Sequence, residues 1–519
     1  MESFAIMLES RLSKSIRNLR AAWIGQLLNI IAKFVMRRFF VKYISTDYLG
    51  LDAVFTNIIG LMNLAELGIG SAIFYALYGP LADKDEERVL GVMQLLAKVY
   101  RTIAFVLTVV GLILMPLLTV IAPEAQGLSY VHLLFAFYLI NTVVSYLFTY
   151  KGLLASADQK GYITTRNHYV FIVSLNIAQI FVIYFFRSFI VYAAIQSLFT
   201  VAEGVSLSWM MDKDYPILRQ KRKVKLPDDV TKKIWSDVRK IVVSKVGNTV
   251  ISSTDNLILS NVVGLAVTGI YSNYALIKAS LQAIVCQFQA AVSASVGNIA
   301  ALGEREKEID YFWFLNFITT SLYSVTSICL YNLMQPFIAY WLGGDYLMNQ
   351  GVLFCTTVIY YLYGIRGIFG TFSMAHGVFD LEAKKTVLEA VANLLISIVL
   401  AYKMGVAGVL LGTVFSSLFV GLPLELINVG HALPEISKSR YIKEFILYSI
   451  TTMIALVGSA WCCERISMHW YIRLPLGLGI SVVVCMITWW LIWGQSEMMK
   501  RMVALVKNIA KTKLQSLKN

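Results

Sequence analysis

The sequence has few charged residues for its length. Of 519 residues, 15% are Asp, Glu, Lys or Arg and 58% are hydrophobic. Apolar runs of about 20 residues recur along the chain, and each is long enough to cross a bilayer as a helix. The sequence therefore predicts an all-α polytopic membrane protein.

Motifs that would indicate an enzyme are also missing. The six cysteines have no metal-ligand spacing, and no nucleotide-binding loop, metalloprotease motif or nucleophile elbow is present. The loops on one side of the predicted membrane are all short, which leaves no room there for a catalytic domain. We therefore expect neither enzymatic activity nor a metal or other cofactor.

The apolar runs predict fourteen transmembrane helices, with two six-helix lobes followed by two appended helices. The predicted spans are 21–41, 48–79, 102–122, 129–150, 167–186, 189–211, 241–262, 267–300, 311–341, 350–377, 386–402, 405–428, 445–462 and 474–494.

The formal net charge of +14 raises the question of a nucleic-acid partner. Nearly all Lys and Arg residues outside the spans fall in the tails and even-numbered loops, which is the pattern of cytoplasmic segments. The exceptions are Lys42, Arg187, Lys403, Arg465 and Arg473. The basic charge is thus explained by membrane topology without a nucleic acid, and it predicts a multi-pass protein of the bacterial inner membrane with both termini in the cytoplasm.

A basic, proline-containing connector at 212–240 divides the predicted helices. It separates an N-lobe at 1–211 from a C-lobe at 241–428, and helices 13 and 14 with a basic cytoplasmic tail occupy 429–519. An offset of 219 residues aligns Asn29 with Asn248 and Gly50 with Gly269. This alignment and the even helix count indicate two parallel repeats.

Polar residues form a stripe on the first helix of each predicted lobe. In helix 1 they are Gln26, Asn29, Lys33 and Arg37, and in helix 7 they are Lys245, Asn248, Ser252 and Asp255. Spacings of three and four place each set on one helix face. The stripes predict a polar cavity between the lobes. The alternative is that these groups only pair among themselves, and that Arg38, on another face, snorkels to the interface.

Several other ionisable residues fall inside apolar segments, where an unpaired charge is costly. Arg366 in "YGIRGIFG" is the most deeply placed cation outside helix 1. The others are Glu66, Glu203, Lys278, Glu389 and Glu425, of which Glu203 and Glu425 occur late enough in their helices to lie at the membrane interface.

Four fragments carry a resemblance to a known family. They are "AELGIGSAIFYALYGPLADKD", "LLASADQKGYI", "STDNLILSNVVGLAVTGIYSNYALI" and "GVLLGTVFSSL". Together they resemble bacterial polysaccharide-unit flippases of the multidrug/oligosaccharidyl-lipid/polysaccharide exporter superfamily, over roughly residues 10–435.

The resemblance implies a flippase that moves an undecaprenyl-diphosphate-linked oligosaccharide to the outer leaflet by alternating access, for capsule, O-antigen or exopolysaccharide assembly. A polysaccharide polymerase and glycosyltransferases would be its partners. The expected diphosphate contacts are Lys33, Arg37, Lys245 and Arg366, with Asn29 and Asn248 beside them. Asp255, Glu66 and Glu389 are candidates for a gating pair or for coupling to H⁺ or Na⁺.

Three other functions are consistent with parts of this pattern. A multidrug exporter of the same superfamily would carry organic cations, which a cavity lined by Lys and Arg opposes. A peptidoglycan-precursor flippase would handle the same lipid diphosphate. A membrane polymerase or glycosyltransferase would need a larger catalytic loop than this chain has.

Overall fold

The computed structural model describes residues 2–63, 77, 79–81, 83–158, 160–220, 222, 224, 226–227, 255–302, 304–466 and 468–516. These residues are almost entirely helical, and no strand occurs among them. Ten helices in this part of the chain are long and apolar enough to cross a membrane. The all-α polytopic fold predicted from the apolar runs is therefore confirmed.

Fifteen helices are present in the described residues. They are α1 Glu2–Tyr43, α2 Thr46–Met62, α3 Glu86–Ile121, α4 Val131–Ala157, α5 Gly161–Phe186, α6 Phe189–Asp214, α7 at 255–262, α8 Leu265–Leu302, α9 Arg305–Trp341, α10 Gln350–Ala375, α11 Phe379–Met404, α12 Val406–Ala432, α13 Lys438–Glu464, α14 Trp470–Trp493 and α15 Glu497–Ser516.

Side-chain caps fix the starts of several helices. Asp85 accepts a hydrogen bond from the Arg88 backbone N–H at the start of α3, and Asn349 caps Val352 at the start of α10. Such oxygens satisfy N–H groups that have no partner within the helix. Short polar residues between apolar runs therefore set where these helices begin.

The chain forms two compact units, Met1–Ser272 and Asn273–Asn519, called here the N-terminal and C-terminal units. The division falls within α8, whose first residues belong to the N-terminal unit. There Glu124, in the loop after α3, accepts a 2.6 Å hydrogen bond from the backbone N–H of Leu265. A carboxylate at a helix N-terminus is favoured by the helix dipole, which explains why this end of α8 is held by the N-terminal unit. The lobe and linker boundaries inferred from the sequence stay a prediction.

Close packing of α2 against α8 requires glycine on both helices. A Cβ on Gly50 would collide with the backbone carbonyl of Leu265, and one on Gly269 would lie 2.9 Å from the backbone nitrogen of Gly50. These are the two glycines that the 219-residue offset aligns. Repeats related by a two-fold axis bring equivalent residues together in this way.

The cores of the two units are rich in aromatic side chains. Phe55 packs edge-on against Phe135 and Tyr138 in the N-terminal unit. In the C-terminal unit, Phe317 packs against Tyr448 and Trp489. Those two contacts join α9 to α13 and α14, so the last two spans share a core with an earlier helix.

Candidate functional site

The polar stripe of α1 faces the interior of the N-terminal unit. Asn29 is buried, Lys33 and Arg37 are half-buried, and Arg38 is exposed. The exposed positions between them are apolar, including Leu28, Ile31 and Val35. The one-face arrangement expected from the spacing is thus what the helix has, and Arg38 lies off that face.

Arg37 has few partners for a guanidinium inside a membrane helix. Its Nη1 donates a 3.3 Å hydrogen bond to the Ser272 hydroxyl, and its buried Nε has no hydrogen-bond partner among the described residues. Lys33 lies within electrostatic range of Arg37 and Asp52, and within the same described ranges its ammonium forms no hydrogen bond or ion pair. Arginine has five N–H donors, so most of those on Arg37 are available to another acceptor.

Asp52 on α2 is the carboxylate nearest to these cations, and the sequence analysis did not single it out. The Tyr138 hydroxyl of α4 donates a hydrogen bond to Asp52 Oδ1. Tyr192 of α6 is also within electrostatic range of Asp52 and Arg37. Tyrosine from two helices therefore surrounds the carboxylate, and no printed ion pair joins it to either cation. We call Lys33, Arg37, Asp52, Tyr138 and Tyr192 the α1 cluster.

Two amides in the N-terminal unit also have unsatisfied polar atoms. Asn29 Oδ1 on α1, and both polar atoms of Asn141 on α4, are buried without a hydrogen-bond partner in the described part of the chain. Asn141 follows Tyr138 by three residues, so the two share a face of α4. Buried polar groups normally have partners, and atoms without one indicate a place for water or a polar ligand.

In the C-terminal unit, Arg366 is held by two glutamates. Its Nη1 and Nη2 donate to Glu389 at 2.7 and 2.8 Å, and its Nε and Nη2 donate to Glu425 at 2.8 and 2.9 Å. Both contacts are the two-pronged geometry that makes arginine–carboxylate pairs strong. Four donors of this arginine are thus occupied by α11 and α12.

Further charges extend this arrangement. Lys385 donates to Glu425 at 2.9 Å and lies 3.0 Å from Glu382, which in turn accepts a 2.9 Å hydrogen bond from Asn428. All four of the Lys and Glu side chains are buried. We call Arg366, Glu382, Lys385, Glu389 and Glu425 the Arg366 network. It contains three carboxylates and two cations, so its formal charge is −1.

A break in the α-helical pattern of α12 lies against the network. Residues Ser417–Gly421 form a π-turn, and Pro423 follows it. Proline lacks an N–H and its ring crowds the carbonyl four residues earlier, which a wider turn relieves. Gly421 then touches Arg366 and Glu389 so closely that a Cβ would collide with both side chains.

The remaining predicted site residues fall mostly outside the described ranges. Lys245, Asn248 and Glu66 lie there, so their assignments stay predictions. Asp255 is half-buried at the first described residue of α7. Among the described residues, no group of three or more His, Cys, Asp and Glu side chains could hold a metal ion.

An apolar cavity of about 230 Å³ lies within the C-terminal unit, between α9, α10 and α13. Its walls include Ile328, Phe354, Leu362 and Met453, and its polar lining is limited to hydroxyl groups such as that of Thr357. The cavity suits a hydrocarbon group and offers no charged side chain.

The helical fold and the charges inside its spans are those of a membrane transporter. No family model and no curated protein matches the sequence, but solved structures do.

The inward closed conformation of the lipid II flippase MurJ matches with a TM-score of 0.65 at 15% identity, over 92% of this chain and 99% of that one. An inward-facing multidrug resistance MATE family transporter of the MOP superfamily matches at 0.55 and 14%, over 80% and 98%. The Vibrio cholerae MATE transporter VcmN matches at 0.56 and 12%, over 82% and 99%. The chain thus has the fold of MurJ and the MATE transporters.

Proposed function

We propose that the chain is a flippase that moves an undecaprenyl-diphosphate-linked oligosaccharide from the cytoplasmic to the outer leaflet of the bacterial inner membrane. The observation that carries the proposal is the α1 cluster. Lys33 and Arg37 lie inside a spanning helix without an ion-pair partner among the described residues, and the polar atoms near them are unsatisfied. A diphosphate would supply the missing acceptors.

Each cation suits a distinct role. The planar guanidinium of Arg37 can bind a phosphate through two parallel hydrogen bonds, while the Lys33 ammonium acts as a point charge. Asp52 would repel the headgroup, but its Oδ1 accepts a hydrogen bond from Tyr138. Lys245, Asn29 and Asn248 complete the contact set that we infer for the headgroup.

Arg366 was also expected to contact the headgroup, but its donors are occupied by Glu389 and Glu425. Binding a diphosphate would require it to leave one of them. We therefore assign the Arg366 network to gating and coupling. Its surplus carboxylate offers a place where one proton or one cation would restore neutrality.

The lipid tail gives a second reason to favour a lipid-linked substrate. The apolar cavity between α9, α10 and α13 is suited to an alkyl chain and lacks any charge that would hold an organic cation. Cations in the α1 cluster likewise oppose a cationic drug. Both observations favour a flippase over a multidrug exporter.

A peptidoglycan-precursor flippase is the second candidate. MurJ has a higher TM-score and covers more of this chain than either MATE transporter described above. Both flippase functions use a lipid diphosphate, so the glycan is what separates them. We favour the oligosaccharide because of the sequence fragments that resemble polysaccharide-unit flippases. Glycosyltransferases and a polymerase are then its expected partners, and both termini lie in the cytoplasm.

The proposal is tested by flipping assays with full-length protein in vesicles. Arg37→Gln should slow transport of the lipid-linked oligosaccharide by about tenfold or more, because charge-assisted hydrogen bonds to the diphosphate are lost. Arg38→Gln removes the same charge from the exposed face and should leave the rate within about twofold. Wild-type rates in Arg37→Gln, at normal protein levels, would refute the role of the α1 cluster.

The same vesicles separate the candidate functions. We expect the oligosaccharide diphosphate to be flipped faster than lipid II. The reverse order would favour the peptidoglycan-precursor function, and export of an organic cation with neither lipid flipped would favour the multidrug function.

A further inference from the structure

The N-terminal unit contains a second cavity, far larger than the apolar one. Its volume is about 610 Å³, and it is lined by α3, the end of α4 and the first residues of the linker. Three cations reach it, namely Lys98, Arg101 and Lys151, together with polar groups of Gln94 and Tyr150. The chemistry of the lining is that of an anion site.

Two of these cations are uncompensated. Lys98 and Arg101 are three residues apart, so they lie on one face of α3. Both are exposed, and neither forms an ion pair or a side-chain hydrogen bond within the described ranges. Lys151 differs because it pairs with Asp212 at 2.7 Å.

Other cations of this unit are neutralised on the protein itself. Arg88 pairs with Asp85, Lys160 pairs with Asp158, and Arg222 pairs with Glu87. An excess of positive charge at the cavity is therefore a local feature.

The position of the cavity along α3 indicates what kind of anion would bind. Directly after Arg101, the helix exposes large apolar side chains to its surroundings, beginning with Phe105, which is 69% exposed, and continuing with Val109 and Ile113. The cations thus lie where the polar end of the helix meets its lipid-facing surface. A ligand that used both would be an anionic amphiphile.

The cavity is separate from the α1 cluster. Tyr150 lines the cavity and Tyr138 belongs to the cluster, and twelve residues of α4 lie between them. At 1.5 Å per residue this is about 18 Å along the helix. One phosphate cannot contact both places.

We propose that this cavity binds the phosphate headgroup of an anionic bilayer phospholipid, with an acyl chain lying along the exposed face of α3. Basic pockets between transmembrane helices at the membrane surface recognise such headgroups. The inference does not depend on the proposed flippase activity.

Lipid at this site would also hold the start of the linker. Leu218 and Gln220 form part of the cavity wall. A little further on, Gln94 of α3 donates to the Arg222 carbonyl at 2.6 Å and accepts from the Val224 N–H at 3.0 Å. The side chain of Leu226 then packs at Gly91, where a Cβ would lie 2.9 Å from it. The bound headgroup would therefore extend an existing contact between α3 and the linker.

The test is a lipid titration of the full-length protein by native mass spectrometry. We expect one phosphatidylglycerol to bind in preference to phosphatidylcholine, and Lys98→Gln with Arg101→Gln to weaken it by about thirtyfold. Arg166→Gln with Lys213→Gln removes the same charge from exposed positions outside the cavity lining and should leave the affinity within about threefold. Ala97→Trp fills the cavity without changing charge and should also abolish this binding.

Three results would overturn the proposal. One is equal phosphatidylglycerol affinity in wild type and in both cavity variants. Another is displacement of the lipid by inorganic phosphate at equal concentration, which would make the ligand a soluble anion. The third is tighter binding of undecaprenyl phosphate than of phosphatidylglycerol at this cavity, which would assign it to the isoprenoid lipid. A flippase that fails the transport assay but shows the expected lipid titration would leave this inference standing.

Discussion

Arg37 and Arg366 are both arginines inside spanning helices, and they have opposite surroundings. Arg37 donates one 3.3 Å hydrogen bond to a serine and has an unpaired Nε, whereas Arg366 donates four bonds of 2.7–2.9 Å to two glutamates. A buried charge that the protein neutralises itself contributes to holding the helices together. A charge that it leaves with few partners is available to a ligand. The stability of the protein and its transport activity should therefore depend on different arginines.

The largest effect should come from breaking the Arg366 network. Arg366→Gln leaves Glu389 and Glu425 buried without their main partner, which typically costs about 3–5 kcal/mol. Arg37→Gln should change the free energy of unfolding by less than about 1 kcal/mol. Thermal unfolding of the purified protein in the same detergent measures both, and equal losses would remove the distinction between the two arginines.

A smaller effect should come from the helix contact beside that network. Gly421→Ala places a methyl group against Arg366 and Glu389 and should destabilise the protein by about 1–3 kcal/mol, as overpacking usually does. Gly370→Ala is the matched control, because a Cβ there meets nothing within 4 Å. If both variants unfold at the same temperature, the π-turn does not fix the network.

Tyr138→Phe sharpens the account of the N-terminal unit. It removes the hydrogen bond to Asp52 and should cost about 1 kcal/mol, since the half-buried carboxylate retains nearby cations. Tyr146→Phe removes a bond to the neutral Asn63 from the same helix and provides the comparison. We expect Tyr138→Phe to lower flipping more than Tyr146→Phe does, because a freed Asp52 competes with the diphosphate for Lys33 and Arg37. Equal flipping rates in the two variants would contradict this role for Asp52.

The smallest effect concerns a paired charge outside the membrane. Hydrogen bonds from Arg501 of α15 lower the pKa of the Asp310 carboxyl below its usual value. The pair therefore stabilises the docking of α15 at neutral pH, and this contribution is lost as the pH falls below about 4 and through the lowered pKa. Because both side chains are substantially exposed, it should be worth less than about 1 kcal/mol.

Hydrogen exchange of α15 at pH 7 and pH 3 measures this contribution. Asp310→Asn should show weaker protection at pH 7 and a smaller change between the two pH values than the wild type. An unchanged difference between the pH values would show that the pair does not hold the helix.

The helices were largely predictable because a membrane span has a strong local signal. The span expected at 350–377 is α10 at Gln350–Ala375, and the one expected at 474–494 is α14 at Trp470–Trp493. The helix α15 was interpreted only as a basic tail, since its apolar face is interrupted by Lys and Arg. That face, with Met499 buried, packs on the core of the C-terminal unit.

The partners of the charged residues were much harder to predict. Spacing placed Asn29, Lys33 and Arg37 on one face, because neighbours on a helix are set by sequence distance. It did not pair Arg366 with Glu389 and Glu425, which are 23 and 59 residues away, although all three were recognised individually. Asp52 was missed because a single acidic residue near a helix start resembles an ordinary surface position.

The surplus carboxylate of the Arg366 network has an electrical consequence. One elementary charge that crosses a potential of 100 mV does work of about 2.3 kcal/mol. While all three carboxylates are ionised, any displacement of the network along the membrane normal is therefore driven or opposed by the membrane voltage in proportion to the fraction of the field it crosses. Protonation of one carboxylate removes that sensitivity, so the same five side chains respond to voltage in one protonation state and are indifferent to it in the other.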